Sequence, residues 1–441
     1  MTTLTQPTIL VIVGISGDLA KRKLLPALSQ IASYQAFPKK FKIVGLVRRK
    51  LTVEDVLPDG DQEFLRKHLE LYELDMTDTA QYVQFAERLK AIEKEFGETA
   101  QRLFYLAVPP QVSQPLVDCL GESGLAQVPD TKLLLEKPFG TDLVSAQELI
   151  EGIKKHFTEE QVYRIDHYLA KETAQNLVVF RSGNALFKRS WNNNFIERID
   201  IIAAEKISVE GRAGFYEQTG ALRDFVQSHL LQLAALTLME LPKAGAWDTI
   251  PQKRLHALSQ LNMPTNVVRG QYDGYRSEVG SPKSLVETFV SLTLTSKDPR
   301  WWGVPITLTT GKSLNDKASE IRITFKREDL GEANQLVLRL QPNEGIELYL
   351  WAKRPGYERE LQHVTLDFSY QQHFAGAALP DAYERVFMDA MRSDRSLFTT
   401  SDEVLETWRV LDPIQHSWEM HTDDLIMYKP GSTIEDVMGK A

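Results

Sequence analysis

One cysteine, Cys119, stands in 441 residues. Its solitude excludes an internal disulfide framework and any cysteine-based zinc or iron–sulfur centre, and it agrees with a reducing compartment. Long hydrophobic runs are missing as well. The apolar stretch near the start, Ile9–Val13, ends at Gly14, whereas a membrane span takes about 20 residues. No basic stretch with a small-residue cleavage site precedes it, so nothing reads as a signal peptide, and the expected location is the cytoplasm. Excess positive charge is absent too: 51 Lys and Arg face 60 Asp and Glu, a net charge of −9. An acidic chain without a basic block argues against nucleic acid as a partner. It leaves room for a local basic pocket that takes a small phosphate ligand. Internal repeats, low-complexity tracts and long linkers are also lacking.

What is present has the texture of a soluble enzyme-sized chain, with 43% hydrophobic and 25% charged residues. Its length suits about two to three domains. Residues 9–13, 42–47, 102–108 and 132–136 are apolar, strand-like runs stopped by glycine, arginine or proline. Between them Leu24, Leu25, Leu28, Ile31 and Ala32 recur at helical spacing, as do Phe85, Leu89 and Ile92. Cys119 shares such spacing with Leu116, Val117 and Leu120, which assigns it to packing. Continuous apolar strands alternating with helices indicate a parallel sheet covered on both faces. Residues 1–165 therefore read as a doubly wound, Rossmann-like α/β domain. Residues 166–441 read as a larger α+β domain with a mainly antiparallel sheet and flanking helices. Segments 284–295, 319–326, 335–340, 345–351 and 362–370 alternate apolar and polar, and Gln341-Pro342-Asn343-Glu344 joins two of them as a hairpin. Leu222, Phe225, Val226, Leu230 and Leu233 mark a helix in this half.

The first strand runs into Gly14-Ile15-Ser16-Gly17-Asp18-Leu19-Ala20-Lys21. Glycines let backbone N–H groups approach a pyrophosphate, and the following helix start adds its positive end. The Gly-x-x-Gly spacing also suits a plain strand–helix turn, and Pro26 either kinks the helix or lies in its first turn. After the second strand come Arg48 and Arg49, where an acidic residue would bind the ribose 2′-OH of NAD. A guanidinium holds a 2′-phosphate through charge-assisted bonds, so with the glycine turn the pair favours NADP; alone it reads equally as two solvated arginines.

Three further segments stand out: Arg164-Ile165-Asp166-His167-Tyr168-Leu169-Ala170-Lys171-Glu172, Asp224-Phe225-Val226-Gln227-Ser228-His229, and Glu136-Lys137-Pro138-Phe139-Gly140. With the glycine turn and Gly311-Lys312 they make five ordered motifs between residues 9 and 400. Together they resemble the glucose-6-phosphate dehydrogenase family. The resemblance implies NADP-dependent oxidation of glucose 6-phosphate at C1 to 6-phosphogluconolactone, the first step of the oxidative pentose phosphate pathway. By motif position it gives His229 the role of general base and Asp166 that of its carboxylate partner. A neutral imidazole suits the first role because its pKa lies near neutrality. His167, Tyr168 and Lys171 match positions that contact the 6-phosphate, and His167 and Lys171 would share one face if the segment is helical. Glu205 and Asp224 match acceptors for sugar hydroxyls. Lys312 and Lys317 would close the sugar site, and Lys137 would touch both substrate and nicotinamide. The implied cofactor contacts are Gly14, Ser16, Gly17, Asp18, Leu19, Lys21, Arg48, Arg49, Pro109 and Lys137. The resemblance implies no metal, and as partners a homodimer or homotetramer and no membrane.

The sequence departs from the family pattern at Ala170, where glycine is usual, and at Leu308–Thr310, which lacks the arginine of a second nucleotide site. The chain is also short for the family. Two other readings are weighed against this one: another two-domain NAD(P)-dependent sugar or polyol dehydrogenase, and a catalytically silent NADP-binding paralogue.

Overall fold

The computed structural model describes residues 4–60, 62–329, 331–374 and 379–440. They fall into two compact units. The first comprises Met1–Gly140, Val144–Ala170 and Pro380–Ser401, and the second Thr141–Leu143, Lys171–Leu379 and Asp402–Ala441. The sequence suggests a single boundary after residue 165, and the structure differs in three places. Thr141–Leu143 belongs to the second unit. Asp166–Ala170 stays with the first unit, and so does the distant Pro380–Ser401. The reason is burial: Val386, Phe387, Ala390, Met391 and Phe398 belong to the same core as Leu10, Ile12 and Leu103. Lys132 reinforces the attachment. Its buried ammonium donates to Gln101 Oε1 (2.7 Å), Ala390 O (2.6 Å) and Ser393 Oγ (2.8 Å).

The first unit is built on strands β1 (Thr8–Val13), β2 (Phe41–Val47), β3 (Leu69–Glu73), β4 (Gln101–Leu106), β5 (Thr131–Leu135) and β6 (Val162–Ile165). They lie parallel in the order β6-β5-β4-β1-β2-β3, and the short strand Phe398–Thr399 pairs antiparallel with β6. β1, β4 and β5 are buried throughout, as expected of strands covered on both faces. Helices Leu25–Ser33 and Thr79–Phe96 bury the residues their spacing predicts, among them Leu28, Ile31, Phe85, Leu89 and Ile92. Cys119 is buried in helix Pro110–Glu122 beside Leu116, Val117 and Leu120.

The second unit carries β7 (Ile196–Ala204), β8 (Thr265–Tyr272), β9 (Phe289–Leu294), β10 (Ile306–Gly311), β11 (Ala318–Phe325), β12 (Gln335–Gln341), β13 (Gly345–Lys353) and β14 (Leu361–Ser369). Their order is β14-β13-β12-β11-β7-β10-β9-β8, with Leu425–Tyr428 beside β8. Pairing is antiparallel except for β7 with β10 and β8 with Leu425–Tyr428. The hairpin between β12 and β13 forms as its turn residues suggest, with Leu338 opposite Ile346. β9 differs from its alternating pattern. Nearly all of it is buried, because the polar Ser291 hydroxyl finds the Thr309 hydroxyl on β10 at 2.9 Å.

A buried ion pair marks the interior of this unit. Arg254 and Glu403 are 1% and 0% exposed, and Nε meets Oε1 at 2.8 Å. Removing one member leaves an uncompensated charge in a low-dielectric interior. Glu403→Ala should therefore lower stability by about 3–5 kcal/mol in urea denaturation. A loss below about 1 kcal/mol, in the range of an exposed pair, would refute this reading.

Candidate active site

The dinucleotide end of the first unit follows from its strand order. β1 has β2 on one side and β4 on the other, so the order reverses there, and a ligand crevice opens at the carboxyl ends of the strands. Gly14 follows β1 with φ +85°, and a Cβ on it would stand 2.5 Å from the carbonyl oxygen of Ala107, which follows β4. No other residue fits between these strand ends without displacing one of them. The Gly17 N–H donates to Gly14 O at 2.9 Å, closing the turn. Ser16 and Asp18 are exposed, with Leu19 half-buried between them and Ala20. Asp18 pairs with Arg22 at 2.7 Å, and Lys21 donates to Asp55 O at 2.9 Å. Pro26 lies in the first turn of helix Leu25–Ser33, after a π-helical turn Ala20–Leu24 that absorbs the irregularity. Pro109 precedes helix Pro110–Glu122, and Lys137 follows β5.

Arg48 and Arg49 are exposed directly after β2. Each lies within electrostatic reach of one carboxylate. The Thr77 N–H chiefly lowers the Asp75 carboxyl, and Arg48 adds to it. The Thr52 N–H chiefly lowers Asp55, and Lys21 and Arg49 contribute.

Asp166 follows β6 and is buried, and its Oδ1 accepts the Tyr168 N–H at 2.9 Å. The Leu169 N–H bonds back to Asp166 O at 3.1 Å. This Asx-type turn takes the place of the helix that would put His167 and Lys171 on one face. Lys171 instead stands just before helix Glu172–Gly183, at its N-cap. The His167 ring lies 6.5 Å from that of Tyr383 and nearly parallel to it. The departure at Ala170 has a plain account: its methyl is buried in the core of the first unit. Arg164, in the same string, is structural, bonded through Nη1 to Glu159 Oε1 at 2.9 Å. Glu136, given no role within its own motif by the sequence, follows β5 directly. It accepts from the Tyr105 hydroxyl at 2.5 Å. Burial pushes its carboxyl up against that bond and the pull of Lys137, and the nearby Asp166 raises it further.

In the second unit the parallel pairing of β7 with β10 sets Ala204 opposite Gly311. The next residues, Glu205 and Lys312, therefore emerge side by side. The Glu205 N–H donates to Gly311 O at 2.9 Å, and Lys312 Nζ meets Glu205 Oε2 at 2.6 Å. Tyr216, absent from the sequence expectations, lies beneath, with Lys312 Nζ 5.3 Å from its ring centre. Burial drives its hydroxyl well above the ordinary tyrosine range, and the charges of Asp224, Glu287 and Glu205 push the same way. Lys317 is exposed beyond this pair, directly before β11.

Asp224 and His229 are buried on a π-helical segment, Leu222–Leu230, that continues as the α-helix Leu231–Leu238. The hydrogen bond from the Leu231 N–H to Val226 O has the five-residue span of that form. In an α-helix residues five apart diverge by about 140°. A π-helix brings them nearly one above the other, so Asp224 and His229 share a face. Periodicity at 3.6 residues carries no signal of this.

A Rossmann order with a glycine turn at its reversal, joined to an α+β unit holding buried acid and base groups, defines a two-unit oxidoreductase of the dinucleotide-binding type. The comparisons with known proteins sharpen that class. The model of the glucose-6-phosphate dehydrogenase NAD binding domain matches residues 11–176, and that of the C-terminal domain matches residues 178–437. The glucose-6-phosphate 1-dehydrogenase of Chlamydia muridarum is 35% identical, over 93% of this chain and 90% of its own. That of Aggregatibacter actinomycetemcomitans is 37% identical, over 92% and 90%. A solved glucose-6-phosphate dehydrogenase in complex with its substrate glucose-6-phosphate superposes with a TM-score of 0.92 at 31% identity, covering 100% of this chain and 98% of that one. The Mycobacterium avium enzyme gives 0.85 at 31% identity, over 97% and 95%. The chain belongs to the glucose-6-phosphate dehydrogenase family.

The glycine turn provides a test. In Gly14→Ala the new methyl meets Ala107 O, and the left-handed φ is strained as well. Dinucleotide affinity, measured by fluorescence titration, should fall at least about tenfold while the variant stays folded. Unchanged affinity would show that the turn takes no part in binding.

Proposed function

We propose that this chain oxidises glucose 6-phosphate at C1 to 6-phosphogluconolactone with NADP, the first step of the oxidative pentose phosphate pathway. The observation that carries the reading is the shared face of Asp224 and His229 on one π-helical segment, in a unit that also holds the Glu205–Lys312 pair. Such a set serves sugar-hydroxyl binding and proton removal together. Neither a general polyol dehydrogenase nor a silent paralogue calls for all of it in this motif order.

His229 takes the proton of the C1 hydroxyl as its oxygen becomes the lactone carbonyl. The Asp166 carboxylate orients the ring and stabilises the imidazolium that results. NADP, when bound, supplies the acceptor for the hydride that leaves C1. His167, Tyr168 and Lys171 anchor the 6-phosphate. Glu205 and Asp224 accept from sugar hydroxyls, and the 2.6 Å bond to Lys312 fixes the direction in which Glu205 presents its oxygens. Lys312, Lys317 and Lys137 supply the remaining cations. The side-chain-free turn at Gly14 and Gly17 suits a pyrophosphate. Ser16, Asp18, Leu19, Lys21, Pro109 and Lys137 border the space around it, and Arg48 and Arg49 take the 2′-phosphate. Solvent access of both arginines supports NADP over NAD, since charge-assisted bonds need a reachable guanidinium.

The motif set supports a homodimer or homotetramer. Among the described residues no helix is long and apolar enough to cross a membrane. The lone cysteine supports a cytoplasmic location.

Two measurements test this reading. His229→Asn should lower kcat by about 10²–10⁴-fold, the scale of a general base, while calorimetric binding of glucose 6-phosphate stays within a few-fold; retained turnover would refute the assignment. Crossing NADP and NAD with glucose 6-phosphate, free glucose and other hexose phosphates should single out the first of each. In that assay Arg48→Ala should weaken NADP by tenfold or more and NAD little; equal losses would remove the 2′-phosphate argument.

A further inference from the structure

The helix that carries Asp224 and His229 has no cap of its own. Its first residues are Ala221 and Leu222, and Ala221 offers no side chain to accept an N–H. The leading N–H groups of a helix lack partners within it. Here both partners come from one residue far along the chain. Glu287 accepts the Ala221 N–H with its backbone oxygen at 3.0 Å and the Leu222 N–H with Oε1 at 2.8 Å. Gly220 makes room for this. It breaks the preceding helix at φ +64° and ψ 178°, and a Cβ on it would collide with the Glu287 carboxylate. Glu287 is 7% exposed. Burial pushes its carboxyl up, against the Leu222 N–H, which favours the charged form.

The neighbouring residue extends the connection. Thr288 O accepts the Lys312 N–H at 2.9 Å, and the Thr288 hydroxyl lies 2.9 Å from that of Tyr428, which donates to Lys312 O at 2.7 Å. Two consecutive residues thus hold the start of the π-helical segment and the lysine of the Glu205–Lys312 pair.

We propose that Glu287 is a positioning residue for catalysis: its carboxylate sets the register of the Asp224–His229 segment against Lys312 and Glu205. This rests on the roles given above to Asp224 and His229. The carboxylate oxygen is engaged by the Leu222 N–H. It acts through the helix start, where a displacement of about 1 Å costs on the order of 10²-fold in rate. Displacing Asp224 also weakens its grip on a sugar hydroxyl, so both kinetic constants for the sugar respond.

The test uses the full chain. Glu287→Asp keeps the charge but withdraws the oxygen from the Leu222 N–H. It should raise KM for glucose 6-phosphate by about tenfold and lower kcat by about 10–10²-fold, with KM for NADP unchanged. A mere loss of folded protein would lower kcat and leave both KM values in place. Glu287→Gln keeps an acceptor oxygen at full length and should restore both constants to within about threefold of the parent. Unchanged KM for glucose 6-phosphate in Glu287→Asp would overturn the proposal, and so would a Glu287→Gln variant as impaired as Glu287→Asp. If Glu287→Asp does not fold, Gly220→Ala, which pushes the carboxylate off from the opposite side, must show the same pair of changes. A parent chain that fails to turn over glucose 6-phosphate at all would instead strike the functional reading beneath.

Discussion

Parallel strand pairing delivers the residues that follow neighbouring strands to the same end of a sheet. Both units rely on that constraint. In the first, β1, β2, β4, β5 and β6 end together, and directly after them stand Gly14, Arg48, Ala107, Glu136 and Asp166. In the second, an otherwise mainly antiparallel sheet includes the parallel pair β7 and β10, which sets Glu205 beside Lys312. An antiparallel partner would send the residue after its last bond to the opposite edge. The acid–lysine pair therefore depends on strand direction more than on either side chain.

A second constraint lies in helix pitch. Asp224 and His229 are five residues apart, a spacing that an ordinary α-helix splits between faces. The wider turn of a π-helix brings them into line, and such turns are frequent at functional sites. The cap at the head of this segment comes from Glu287, 65 residues away in sequence. Local and distant parts of the chain must agree before the segment can take this form. That agreement places buried polar groups in fixed positions, where an unsatisfied donor would be costly.

Much of the architecture was legible in the amino-acid order, for identifiable reasons. β1, β2, β4 and β5 are continuous apolar runs ended by glycine, arginine or proline. The β12–β13 hairpin announces itself through alternation and turn residues. β3 escaped notice because Leu69–Glu73 mixes apolar and charged residues on a half-exposed strand. β6 is only four residues long. Nothing local indicates that Phe387 and Met391 share a core with Leu10. Motif positions named Asp166 in the first unit, and Glu205, Asp224, His229 and Lys312 in the second, as candidates. Tyr216 and Glu287 went unnamed because burial, not a motif, distinguishes them, and Glu136 because its motif points first to Lys137.

Taken alone, the sequence determined an acidic chain with one cysteine, a glycine turn after a buried strand, a pair of arginines after the next, and an ordered set of acid, base and lysine positions. Those features are local: each depends on a short stretch whose spacing, charge and backbone freedom can be read along the chain. The tertiary structure decided the rest. It turned Asp166–Ala170 away from a helix by bonding the Asp166 carboxylate to its own backbone, paired β7 with β10 in parallel, and widened the helix that bears His229. Each of these outcomes satisfies buried polar groups by contacts that the order of residues does not display, and in the case of Glu287 by a contact made across 65 residues.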